Sequence, residues 1–205
     1  NVIWPLPQTG QMWLEHELLN NPKIPGCFCV STSYRQEQNP TEGRHELIFP
    51  MFEFEVPGDF EDLLQMENDL CKHLGFKSEH SRAPYTEDFP GGKYLSMCAK
   101  YTAPDNTLEA NHELDMYIAN KCDVIIGGME TIGSAERASD VDEMREQFHT
   151  ISDGEYSILL YNLFGQERVL KELDEFLSHD FFPRYGGGIG ITRMISGMKK
   201  AGLLE

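Results

Sequence analysis

Apolar positions change period several times along the chain, and each change marks an expected element. In GQMWLEHELLNN, Met12, Leu14, Leu18 and Leu19 recur at helical spacing, and PKIPG closes the run. CFCVSTSYRQE and LIFPMFEFEV are instead rich in aromatic and branched residues. The polar QNPTEGRH between them predicts an antiparallel hairpin. DFEDLLQMENDLCKHLGF returns to helical spacing, with Phe60, Leu63, Leu64, Leu70 and Leu74 facing inward and Gly75 as the stop. CDVIIGGMETIGS reads as two short strands about Gly127-Gly128. VDEMREQFHT and EYSILLYNLFGQERVLKELDEFLSHD follow as helices, the second broken near Gly165.

The stretch PRYGGGIGITRM, Pro183 to Met194, reads as a glycine-rich turn opening a helix on which Ile189, Met194 and Met198 share a side. Two readings fit it. A ligand could lie against bare backbone with an anion on Arg193, or the chain could make a tight strand-to-helix crossover with close packing. On this stretch alone the crossover is favoured. A dinucleotide fingerprint is excluded, because too few residues follow Gly190 for a helix and a second strand. A P-loop is excluded because Lys-Ser/Thr does not follow the glycines. The whole pattern predicts an α/β (α+β) protein, an antiparallel sheet flanked by helices in a single domain over residues 1–205.

Composition narrows the function classes. With 40% hydrophobic and 11% aromatic residues, a chain of 205 residues can bury one substantial core. Its formal net charge of −17 argues against a broad nucleic-acid surface, though not against a small basic pocket. Cys27, Cys29, Cys71, Cys98 and Cys122 fit no zinc spacing and read as reduced thiols of a cytoplasmic protein, Cys27 and Cys29 as small buried strand residues. No apolar run approaches about 18 residues, so no membrane span is expected, nor is a secretory leader visible. The chain opens NVIWPLPQTG without methionine, and an incomplete N-terminus is expected.

Two constellations carry candidate chemistry. On the hairpin, Arg35 and Glu37 share one strand face; Arg44 and His45 precede Phe49; Glu53 and Glu55 share a face of the return strand. A guanidinium suits phosphate oxygens, a carboxylate can accept from an exocyclic amine, and a phenyl ring can stack on a base. Pair by pair, Arg35–Glu37 and Arg44–Glu53 read more simply as surface salt bridges. In GGMETIGSAERASD, Glu130 follows a glycine pair and Arg137 lies further on. Glu130 could hold a divalent ion bridging phosphates or be a surface acid near a turn, the simpler reading of it alone.

Taken in order, these pieces resemble the catalytic core of class II aminoacyl-tRNA synthetases, in the aspartate/asparagine/lysine subclass. SYRQEQNPTEGRHELIFPMFEFE looks like that family's second motif and GGGIGITR like its third. ETIGSAER resembles its Glu-x-x-x-x-x-x-Arg segment, and TGQMWLE the Ser-x-Gln-Leu-x-Leu-Glu segment of asparaginyl enzymes. The resemblance runs from about Gln8 to Leu204 and implies an adenylate-forming ligase that uses ATP and Mg2+. By it, Arg35 would hold the α-phosphate and Glu37 the adenine amine, with Phe49 and Arg193 sandwiching the ring. Gly188 and Gly190 would lie under the nucleotide, Arg44 or His45 would reach the γ-phosphate, and Glu130 would anchor magnesium. Gln11 would contact the substrate amino group and Arg137 its side-chain carbonyl. Arg35, Arg193 and Glu130 would thus be the catalytic set.

Departures from the family pattern accompany the matches. Thr192 and Ile48 stand where acids are usual, LSMCAKYTAPDNTLEANHELDMY lacks a Pro-Phe pattern, and neither the dimer helix nor the anticodon barrel is visible. A lysine typical of aspartate enzymes is replaced by Leu14, as in asparaginyl ones. The resemblance therefore implies a freestanding core activating an asparagine-like amino acid for an unidentified acceptor. Its alternatives are a fragment of an asparaginyl-type tRNA ligase and an inactive binding module. Weak tRNA binding and a homodimer are further expectations.

Overall fold

The computed structural model describes residues 8–35, 46–76, 95–102 and 118–205. Among the described residues, six strands form one sheet: β1 (Cys27–Tyr34), β2 (Ile48–Pro57), β3 (Leu95–Thr102), β4 (Ile118–Ile126), β5 (Met129–Glu136) and β6 (Arg184–Gly190). The order across it is β1-β2-β6-β5-β4-β3, every neighbouring pair antiparallel. The helices are α1 (Gln11–Asn20), α2 (Phe60–His73), α3 (Val141–Thr150), α4 (Glu155–Phe164), α5 (Gln166–Leu177) and α6 (Ile191–Lys200). Among the described residues, no helix is long and apolar enough to cross a membrane.

Strand alternation divides the sheet into two faces. Phe54 of β2, Ile132 of β5 and Tyr185 and Ile189 of β6 point to one side, where Leu63 and Cys71 of α2 and Met194 of α6 close the main core. At about 25 cal/mol per Å2 of apolar surface removed from water, such side chains contribute roughly 1.5–3 kcal/mol each. α2 begins in a capping box, Asp59 accepting from the backbone of Glu61 and Asp62 while the Asp62 carboxylate accepts from Asp59 N. It ends at Gly75, whose φ of +92° suits a residue without Cβ. Both ends agree with the sequence pattern.

The opposite face carries polar residues. Glu53 and Glu55, two apart on β2, point there and are buried. α1 lies over β1, β2 and β6 on this side. It is anchored by Arg184 of β6, which donates to Glu15 through Nε at 3.1 Å and through Nη2, and whose guanidinium stacks 4.9 Å from the Phe181 ring centroid. Arg184 is 1% exposed. Two buried charges so paired fix the helix against the sheet, but each needs the other.

The glycine run departs from its expected form: it is a central strand, not a turn. Gly186, Gly187 and Gly188 pair with β2 on one side and β5 on the other. A Cβ at Gly187 would come 2.7 Å from Ser134 Cβ and 3.0 Å from Phe54 Cζ; at Gly186 it would meet the Glu55 carboxyl at 2.1 Å. Neighbouring side chains fold over the bare strand, so glycine is required there by close packing. Ile189 belongs to this strand, and α6 starts only at Ile191. Cys27 and Cys29 are half-buried rather than buried, and Phe28 and Val30 between and beyond them are exposed.

Arg184→Ala leaves the Glu15 carboxylate buried without its cation and is expected to cost about 3–5 kcal/mol of unfolding free energy in urea titration. A loss below about 1 kcal/mol would show that the pair does not anchor α1.

Candidate active site

A cavity of about 560 Å3 opens on the polar face, above β1, β2, β6 and β5. Its floor is backbone: Gly188 and Gly190 on β6 and Gly133 on β5 line it. Because side chains alternate, these β6 glycines face the cavity while Ile189 points into the core. Around that floor stand Arg35 after β1, Phe49 of β2, Glu130 of β5, Arg193 of α6 and Gln11 of α1. Seven of the eight described sequence candidates, Gln11, Arg35, Phe49, Glu130, Gly188, Gly190 and Arg193, line this one cavity, and Arg137 does not.

The cationic side chains are held by their surroundings. Arg35 Cζ lies 5.3 Å from the Phe49 ring centroid, and its main-chain N donates to Leu47 O at 2.8 Å. Arg193 Nη1 donates to Glu130 O at 2.9 Å, which ties the first turn of α6 to the start of β5. Thr192 Oγ1 donates to the Glu46 carboxylate at 3.1 Å, joining the same turn to the approach to β2. The position that departs from the family pattern is thus occupied by a hydroxyl that bonds a carboxylate on the hairpin.

Glu53 forms part of the cavity wall, and its carboxylate is surrounded by neutral donors. It accepts from Gly10 N at 3.0 and 2.8 Å, from Ser31 Oγ at 2.6 Å and from Thr9 Oγ1. Gly10 is the N-cap of α1, so the negative charge also faces the positive end of that helix. The sequence reading of Glu53 as a partner of Arg44 cannot be placed, since Glu37, Arg44 and His45 lie outside the described residues.

Arg137 stands apart from the residues that line the cavity. At the end of β5 it donates to buried Glu55 through Nε, at 3.0 and 3.3 Å, and through Nη2. It pairs with neither Glu136 nor Asp140, its sequence neighbours. Burial pushes the Glu55 carboxyl up, and the guanidinium pulls it back. Leu14, on the buried side of α1, likewise does not line the cavity.

Sequence reasoning missed Asp123. The register sets Asp123 of β4 opposite Gly133 of β5. A Cβ at Gly133 would lie 2.9 Å from Glu130 Oε1 and 3.7 Å from Asp123 Oδ1, so the two carboxylates converge on that bare residue. Asp123 is 5% exposed, and its buried Oδ1 accepts no hydrogen bond. Burial and the nearby Asp123 charge raise the Glu130 carboxyl above its ordinary value, against the opposing pull of Lys121, Arg193 and Arg35. Among the described residues, no three His, Cys, Asp or Glu side chains are grouped to hold a metal ion. A pair of carboxylates beside a cavity nevertheless suits a magnesium ion completed by phosphate oxygens and water. The signal available in the sequence was an acid set inside the apolar run CDVII.

No family model matches the chain, and no curated protein is significantly similar to it in sequence. Solved structures are similar in fold. The asparaginyl-tRNA synthetase of Entamoeba histolytica in complex with asparaginyl-adenylate superposes with a TM-score of 0.62 at 19% identity, over 96% of this chain and 53% of that one. The aspartyl-tRNA synthetase of the same organism gives 0.67 at 16% identity, over 99% and 50%. The asparaginyl-tRNA synthetase of Pyrococcus horikoshii complexed with asparaginyl-adenylate gives 0.58 at 15% identity, over 94% and 52%. This chain therefore spans about half the length of those structures. Its fold is that of the class II aminoacyl-tRNA synthetase catalytic core, in the form found in the asparaginyl and aspartyl enzymes.

Proposed function

We propose that the protein uses ATP to activate a small, polar, asparagine-like amino acid as its aminoacyl-adenylate. The observation that carries this reading is the convergence of Arg35, Phe49, Glu130 and Arg193 on one cavity floored by the β6 glycines. Adenine would lie between Phe49 and Arg193, flat against backbone that has no Cβ. Gln11 would receive the substrate amino group, and the buried Glu53 beside it would supply the matching negative charge.

The chemistry is attack of a carboxylate oxygen on the α-phosphorus, with pyrophosphate leaving. Both reactants are anionic, so the barrier is lowered by positive charge fixed where the transition state gathers negative charge. Arg35 supplies that charge at the α-phosphate. Asp123 and Glu130 are the residues that would hold magnesium, which when bound neutralises phosphate oxygens. The two asparaginyl neighbours solved with their adenylate are consistent with this use of the cavity.

Arg137 is committed to buried Glu55 and does not line the cavity, which favours a neutral amide over a second substrate carboxylate. As it stands the pair is neutral overall, with Arg137 turned to Glu55. A substrate carboxylate would compete with Glu55 for that guanidinium and leave one buried anion short of a partner. A carboxamide carries no charge and needs no such counter-ion. The acceptor of the activated group is a separate matter. A freestanding core is our first reading. That the chain spans about half of its structural neighbours favours a second, the catalytic half of a longer tRNA ligase.

Amino-acid-dependent exchange of pyrophosphate into ATP should be measurable, and should fall by about 100- to 1000-fold in Arg35→Ala and Arg193→Ala. No exchange across a full amino-acid panel would exclude the catalytic reading. Asparagine should support exchange at least about tenfold better than aspartate; the reverse preference would refute the role given to Glu55 and Arg137. With a net charge of −17 the chain alone should bind tRNA no tighter than about micromolar at near-physiological salt. A nanomolar complex would favour the tRNA-ligase reading.

A further inference from the structure

Lys121 has no role in the chemistry set out above, yet it stands beside the carboxylates assigned to magnesium. It lies two residues before Asp123 on β4, so both side chains leave the same face of the sheet. Its Nζ is 3.3 Å from Asp123 Oδ1, near enough for an ion pair, although that oxygen accepts no hydrogen bond in proper geometry. The pair is lopsided: the lysine side chain is 47% exposed and the aspartate 7%. A buried carboxylate is costly without a counter-charge. A second one converging on Gly133 adds repulsion.

An ammonium on a flexible, half-exposed stem is suited to neutralising a site temporarily, because it can withdraw to water with little loss. A guanidinium locked in a forked pair, such as Arg184 on Glu15, is not. We propose that Lys121 is a built-in counter-ion of the metal site, holding Asp123 while no divalent cation is bound and yielding its place when one arrives. The inference rests on the reading of Asp123 and Glu130 as magnesium ligands. Lysine and metal then compete for the same carboxylate oxygen. Lys121 is a positioning residue in this scheme: it keeps two converging acids folded in place and lowers the affinity of the empty site for metal. Glu130 feels the same charge, since Lys121 counters part of the upward push on its carboxyl.

The test is titration of the whole chain with Mn2+ alone, followed by electron paramagnetic resonance, with thermal melts of the same samples. Lys121→Met should bind Mn2+ about two- to fivefold tighter than wild type, the range expected for losing a half-exposed ion pair. Its metal-free form should melt lower, and Mn2+ should raise its midpoint by more than it raises the wild type's. Lys121→Arg, which keeps the charge, should retain the wild-type melting point without metal and so separates the charge from general damage to the strand. Unchanged or weaker Mn2+ binding in Lys121→Met, with binding still lost in Glu130→Gln, overturns the lysine's role and leaves the metal reading standing. Mn2+ binding indifferent to Glu130→Gln overturns both.

Discussion

The cavity depends on a strand without side chains. β6 runs through the middle of the sheet, hydrogen-bonded to β2 on one side and β5 on the other, and its Gly186, Gly188 and Gly190 turn bare backbone to the polar face. A Cβ at Gly186 would collide with the Glu55 carboxyl, and one at Gly188 would have to displace the Met51 methyl. The absence of side chains on this strand gives Glu53 and Glu55 room to fold over it and, in the proposed function, gives a flat ligand a place to lie. Charged groups then surround the strip from separate segments, Arg35 just after β1, Arg193 from α6 and Glu130 from β5, with Asp123 of β4 behind Gly133.

This arrangement reconciles a strongly acidic body with the proposed site for a polyanion. The net charge of −17 belongs to the whole chain, whereas Arg35 and Arg193 line one cavity. Among the described residues, Arg184 with Glu15 and Arg137 with Glu55 form closed pairs, Glu53 leans on neutral donors, and Glu67 accepts from Ser134 Oγ at 2.6 Å. Pairing confines the cost of burying ions to places where α1 and the sheet are locked together. Asp123, with its half-exposed lysine, is the looser case.

Much of this was legible in the pattern of residues. α1, α2 with its glycine stop, the β1–β2 hairpin, the β4–β5 hairpin about Gly127-Gly128 and the break at Gly165 all follow from local periodicity and turn chemistry. The glycine run was misread as a turn because period two is carried by side chains, and β6 has almost none to display it. Its position between β2 and β5 is a product of long-range pairing that no local window contains. The partner of Arg137 was hidden for the same reason, since Glu55 is 82 residues away in sequence. Asp123 lay inside an apolar strand, and only the register with Gly133 brings it to Glu130. Family-like motifs identified residues that line the cavity; the paired and buried charges around them needed the fold.

The central claim is that the glycine-floored cavity receives an aminoacyl-adenylate. The most direct measurement is calorimetric titration of the chain with a non-hydrolysable sulfamoyl analogue of asparaginyl-adenylate, in wild type and in Arg193→Ala. The account predicts one site per chain at about micromolar affinity or tighter, weakened at least about tenfold when the stacking guanidinium is removed. Absence of binding to a folded wild-type chain, or binding indifferent to Arg193, would contradict it.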